Sequence, residues 1–350
     1  MSIASQLSHL QTQLDLERRL VSFDSYDMSV RQIYEMFVEK AISIPPEYQR
    51  QFVWGPERES DLIESILLGI PVPSLFMATN ADSTWEIVDG VQRLSTIAHF
   101  VGLKDSLLKT INRDSALKIV GLEKLNALND LTYEDLPKSV QLMFLNRPIR
   151  VTVLNDKSDL NVRFDLFERL NTGGVLLTNQ EIRNCIFRGP FNESLKKLSK
   201  SANFSTAVRL KESAQKNGMS EEYVLRYFAY LENHNQFGHS VKGFLNDYMK
   251  VNADKRLSPA KIGLFNKTFD LLAAAYPKGI TRGQASTTSA NLYEALAVGT
   301  AMAVQAGAKV SVAKLSKIAG NLELRKITTG ATNSKTMVLK RLHFVRDLLI

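Results

Sequence analysis

The sequence predicts a two-part α+β chain, with a mixed α/β domain over residues 1–155 and a mainly helical domain over 156–350. Three observations predict it. At 350 residues the chain has room for about two domains, each with its own core. The runs that read as strands, short and rich in apolar or β-branched residues, all fall before residue 155. Beyond that point nearly every segment has helical period, and no repeat of fixed length appears.

In chain order, residues 1–40 read as helix, broken near "SFDSYD". Ser29 suits the N-cap of "SVRQIYEMFVEK", whose Ile33, Phe37 and Val38 form an apolar stripe. "AISI" (41–44) is a short strand stopped by Pro45-Pro46. "PERESDLIESILLG" (56–69) opens on Pro56 with acids in its first turns, spaces Leu62, Ile63, Ile66 and Leu67 along one face, and ends on Gly69. "SLFMAT" and "WEIVD" follow as strands, then a helix from about Gly90 to Val101 with Leu94, Ile97, Ala98 and Val101 on one side. "PIRVTVL" (148–154) is the most strand-like segment of all.

In the second half Leu170 ends a helix, and Thr178-x-x-Glu181 is a capping box that opens the next. Glu222 and Arg226 in "EEYVLRYFAYLE" make an i,i+4 pair worth a few tenths of a kcal/mol. "ALAVGTAMAVQAGAKV" (295–310) reads as a small-residue helix packed in a core.

Composition narrows the function classes. With 44% hydrophobic and 23% charged residues the chain is globular. Its net charge of +8 is compatible with a polyanionic partner without requiring one. Cys185 is the only cysteine, which excludes intramolecular disulfides and every multi-cysteine metal site. The N-terminus has no signal-type apolar core, and no apolar stretch reaches the roughly 20 residues that span a bilayer. A cytoplasmic protein without membrane contact is therefore expected. P-loop, dinucleotide-fingerprint, H-E-x-x-H and G-x-S-x-G motifs are all absent.

The chemistry concentrates where the strand "WEIVD" turns into a helix. Asp89, Gly90, Gln92 and Arg93 crowd five positions there. A helix start offers unpaired N–H groups and a positive dipole end, and a glycine lets a ligand come close to the backbone. The Arg93 fork suits a phosphate, Gln92 adds a neutral donor and acceptor, and Asp89 suits a metal ion or an attacking water. The bland alternative is a tight strand–turn–helix joint whose Asp-Gly serves backbone geometry alone. "IPPEYQRQFVW" (44–54) presents a second Gln-Arg pair, Gln49 and Arg50, ahead of two aromatics. In "FERLNTGGVLLTNQEIRN" (167–184), Arg169 and Asn171 are polar beyond what the turn requires. "TTGATNSKTMVLKR" (328–341) puts Lys335 in the first turn of a helix, where it either grips a phosphate or accompanies a cap.

These stretches, together with "SILLGIPVPSLFM", stand in the order and at about the spacing seen in the domain-of-unknown-function 262 family, which they resemble over roughly residues 25–190. That family looks like the N-terminal part of GmrSD-type modification-dependent restriction enzymes and is similar in fold to the ParB/sulfiredoxin domain. The resemblance implies nucleotide binding, and in some members hydrolysis, at the Asp-Gly-x-Gln-Arg motif. It puts Asp89, Gly90, Gln92 and Arg93 in the nucleotide site, with Gln49 and Arg50 beside them; joined to the reading of the residues, the expected ligand is a nucleoside triphosphate, with Mg²⁺ at Asp89.

Family members often carry Gln where this chain has Val91, so one hydrogen-bonding group is missing here. The five histidines form no His-Asn-His nuclease motif. The expectation is thus a nucleotide-binding, NTP-hydrolysing component of a bacterial antiphage or restriction-like system that works with a separately encoded nuclease effector. The alternatives are a DNA-binding protein that nicks or senses modification, and a non-catalytic, antitoxin-like partner of a nuclease.

Overall fold

The computed structural model describes residues 3–18, 22–45, 52–80, 82–102, 104–155, 160–170, 177–330 and 333–350. The chain divides into two compact units, Met1–Leu176 and Leu177–Ile350. The first contains α1 (Ile3–Arg18), β1 (Phe23–Ser29), α2 (Val30–Val38), β2 (Ile42–Ser43), α3 (Pro56–Leu68), β3 (Leu75–Thr79), β4 (Trp85–Asp89), α4 (Val91–Val101), α5 (Asp105–Thr110), α6 (Lys138–Leu145), β5 (Pro148–Leu154) and α7 (Leu160–Leu170). The second contains helices and their connections, with no strand among its described residues. The α+β class is as the sequence predicts. The division falls later than residue 155 because α7 packs back on β4.

Five strands form one mixed sheet in the order β1-β5-β3-β4-β2. β1 and β5 are antiparallel, as are β3 and β4, while β5 with β3 and β4 with β2 are parallel. The sheet curls enough for Tyr26 on edge strand β1 to stack on Trp85 of β4, ring centroids 5.8 Å apart. The buried core of the unit draws Ile33, Phe37, Ile63, Ile66, Leu94 and Ile97 from α2, α3 and α4, and Leu75, Met77, Ile87 and Val151 from the sheet.

One element corrects the sequence reading. The break near "SFDSYD" is strand β1, paired residue for residue with β5 from Phe23–Leu154 to Ser29–Pro148. Its Asp and Ser residues disfavour a strand locally, so the ladder is dictated by a partner far along the chain. Ser29 then caps α2 through a complete capping box with Gln32. Gly69 ends α3 in the left-handed conformation.

In the second unit the helix Ala290–Gln305 is buried along most of its length and lies against Lys335–Leu349. Gly299 makes the close approach possible, since a β-carbon there would sit 2.7 Å from Val345 Cβ and 2.9 Å from Leu342 O. Around this helix three arginines share two carboxylates. Arg183 bonds Glu222 at 3.0 Å, Arg226 bonds Glu222 at 2.7 Å and Glu294 at 2.6 Å, and Arg341 bonds Glu294. The Glu222–Arg226 pair is therefore not the exposed helix-surface pair that its spacing suggests. It belongs to a buried network. Burial alone would raise Glu222, but Arg226 and Arg183 outweigh it and hold the carboxyl below its ordinary value.

Candidate functional site: the joint between β4 and α4

The joint begins with a register slip. Phe76 pairs with Asp89 and Met77 with Ile87, so Val88 is an extra residue in β4. Such a bulge re-aims the residues at the strand end, and Asp89 is the last of them. Gly90 follows at φ +100°, a conformation open mainly to glycine. A β-carbon there would also sit 2.5 Å from Leu75 Cδ2 and 3.2 Å from the Arg93 guanidinium. The glycine is required by the joint itself, whatever binds beside it.

α4 then starts with Gly90 as N-cap and no side-chain capping bond. Its first amides lack the side-chain oxygen that Ser29, Thr178 or Ser334 supplies to other helices of the chain. Gly90 O does accept from Leu94 N at 2.9 Å, so the helix itself is regular from its first turn.

Arg93 braces the joint. Its Nη2 donates to Asp89 Oδ2 at 2.7 Å, and its Nη1 donates to Ser74 O at 2.9 Å and Pro73 O at 2.5 Å. One guanidinium thus ties the strand end, the helix start and the approach to β3. None of these bonds uses Nε. The Asp89 side chain keeps 28% of its surface exposed, against 13% for Arg93.

Gln92 faces the other way. Its Oε1 accepts from Val53 N at 3.1 Å and Trp54 N at 3.2 Å. The segment after the Tyr-Gln-Arg motif is thereby fixed to the first turn of α4. Phe52 and Trp54 complete the attachment: the Arg113 guanidinium lies 4.4 Å over the Phe52 ring, and its Nη2 donates to Trp54 O at 3.0 Å. Arg58 covers the Trp54 ring at 4.7 Å.

Beneath this segment sits a charged cluster that the sequence reading did not single out. Glu59, fully buried on α3, takes His99 Nδ1 at 2.6 Å on one oxygen and Arg113 Nη2 at 3.2 Å on the other. His99 Nε2 faces Ser115 O at 3.0 Å, so both ring nitrogens meet acceptors. One signal was available: Glu59 lies three and four residues before Leu62 and Ile63, on the apolar face of its helix. A carboxylate there needs a buried partner.

The remaining expected residues are dispersed. Gln49, Arg50 and Asn171 lie outside the described residues. Arg169 is exposed in the last turn of α7. Lys335 is the exposed first residue of the helix Lys335–Leu349 in the second unit, where Ser334 accepts from Met337 N as the cap. Among the described residues no group of three or more His, Cys, Asp or Glu could hold a metal ion. No helix among the described residues is long and apolar enough to cross a membrane.

No curated protein matches the chain. A family model does: that of the GmrSD restriction endonuclease N-terminal domain, over residues 33–188. The match takes in α2 to α7, the bulged strand, the uncapped helix and the Asp-Gly-x-Gln-Arg motif between them. Over residues 33–188, the chain is similar to the N-terminal domain of the GmrSD restriction endonuclease.

Proposed function

We propose that the β4–α4 joint is a nucleotide site in a component of a restriction-like defence system. One observation carries the reading: the helix after the bulged strand starts from a glycine that supplies no side-chain cap, beside a partly exposed carboxylate. The positive dipole end of a helix favours a phosphate. In this reading a nucleoside triphosphate lays its phosphates on the start of α4, and Asp89 holds Mg²⁺ or orients a water. Arg93 acts chiefly by keeping Asp89 and the approach to β3 in place, with Nε left for a ligand oxygen.

Gln49 and Arg50 close the site from the segment that Gln92 tethers at Val53 and Trp54. Arg169, in the last turn of α7, and Asn171, which follows that helix in sequence, contribute to the site. Lys335 is a separate candidate phosphate contact in the second unit. In hydrolysis the positioned water attacks the terminal phosphorus, the bond to the bridging oxygen breaks, and nucleoside diphosphate and phosphate leave, with Gln92 kept for positioning the backbone. The domain resembles ParB/sulfiredoxin folds in this reading, and the nuclease step falls to a separate effector.

Titration calorimetry with Mg²⁺ and a panel of nucleoside triphosphates tests it on the full chain. Wild type is expected to give saturable heat, Arg50→Ala at least tenfold weaker binding, and Asp89→Asn binding that no longer responds to Mg²⁺. Absent heat in wild type at millimolar nucleotide would end the proposal.

A further inference from the structure

The two units differ sharply in charge. Residues 177–350 carry 26 Lys and Arg against 12 Asp and Glu, a formal +14, whereas residues 1–176 carry 18 against 24, a formal −6. The overall +8 conceals this contrast. Within the second unit, between the end of the helix Pro259–Ala275 and the turns around the helices Val312–Ile318 and Leu322–Thr328, lies a cavity of about 1030 Å³. That is the upper end of the range for small-molecule sites.

None of its lining residues is Asp or Glu, while Lys278, Arg282 and Arg325 all line it. Arg282 is locked in place: its Nε donates to Ala319 O at 2.6 Å and its Nη1 to Thr328 Oγ1 at 2.6 Å. Its Nη2 is covered and has no acceptor. Its positive charge is fixed in the cavity wall with no carboxylate against it, and burial and the neighbouring Arg325 both push its pKa down. Lys278 and Arg325 are exposed, and neither forms an ion pair among the described residues. The carboxylate next in the chain, Glu323, is taken by Lys326 at 2.7 Å. Gly283 and Gly330, both at positive φ with nothing within 4 Å of a built β-carbon, leave the wall open beside the cations.

Three like charges around one recess repel one another, and an anion in it would relieve that cost. We infer that this cavity is a binding site for a phosphate-bearing small molecule, with Lys278 and Arg325 contacting its oxygens and Arg282 supplying fixed charge from the wall. The recess favours a compact polyphosphate over a strand of nucleic acid, which would need contacts spread along a surface. The site is independent of the reading given for the β4–α4 joint.

Calorimetric titration of the full chain with inorganic tripolyphosphate, and separately with a 20-base-pair duplex, tests it. Lys278→Ala/Arg325→Ala removes exposed, unpaired side chains and is expected to leave the thermal unfolding midpoint unchanged while weakening tripolyphosphate uptake at least tenfold. Lys255→Ala/Arg256→Ala removes the same charge outside the lining and is expected to change uptake by less than twofold. Equal losses in the two double variants would overturn the site, because diffuse charge would then explain them. So would no tripolyphosphate uptake by wild type, or duplex binding that depends on Lys278 and Arg325 without it. Uptake lost in Arg50→Ala but kept in Lys278→Ala/Arg325→Ala would belong to the first unit and would overturn this inference alone.

Discussion

Charge is used differently in the two units, and the contrast separates what holds the chain together from what it presents. In the second unit Arg183, Arg226 and Arg341 are sealed around Glu222 and Glu294, joining helices across the middle of the fold. In the first, Glu59, His99 and Arg113 lie under the segment Phe52–Trp54, and Arg93 with Asp89 lies at its rim. Loss of one partner from the helical network is therefore expected to destabilise the second unit as a whole. The first-unit clusters hold particular stretches of backbone, so damage to them is expected to surface locally, near the proposed site.

The contrast is broken or sharpened most strongly at Glu294. Glu294→Ala leaves Arg226 and Arg341 buried beside one missing carboxylate, and chemical denaturation is expected to read a loss of about 3–5 kcal/mol. A loss under 1 kcal/mol would mean that the network is not what ties the helices together. Glu59→Ala comes next, at about 3 kcal/mol by the same reasoning, but with a local signature. Limited proteolysis is expected to cut near residues 50–54 before the second unit is affected.

Gly90→Ala forces an L-residue to φ +100° and a methyl against Leu75. It is expected to cost about 1–3 kcal/mol in a thermal melt and to abolish nucleotide binding. The smallest effect is on pH. The folded Glu222 carboxyl sits below its ordinary value, so its contribution is complete above the unfolded pKa of about 4.5 and is lost as pH falls through the folded value. Unfolding free energies between pH 6 and 3 are expected to fall less steeply in Glu222→Gln than in wild type.

The elements that the sequence made legible were those with local causes. α3 has its proline, acids, apolar face and terminal glycine within fourteen residues, and the Thr178–Glu181 capping box lies within four. β1 was not legible, because its ladder depends on a strand whose nearest bonded side chain, Arg150, is 123 residues from Asp27. The joint was legible as a cluster of Asp89, Gly90, Gln92 and Arg93. The direction of each was not: Arg93 turns to Pro73, Ser74 and Asp89, and Gln92 to the backbone of Val53 and Trp54. Spacing locates a side chain on its own helix but says nothing of which distant carbonyl lies within reach. The Glu222–Arg226 pair teaches the same lesson from the other side, since its fourth-residue spacing is identical on a wet face and in a sealed core.

The surplus residue in β4 has a consequence for how such a domain diversifies. A pleated strand normally couples every side chain to its neighbours, so turning one of them over would expose a hydrophobic residue or bury a polar one. With Val88 taking up the offset, the aim of the terminal carboxylate is released from the alternation that the interior demands. Removing that single position would rotate Asp89 relative to the helix mouth while leaving Ile87 seated, and relatives with and without it would share one interior yet point different chemistry outward.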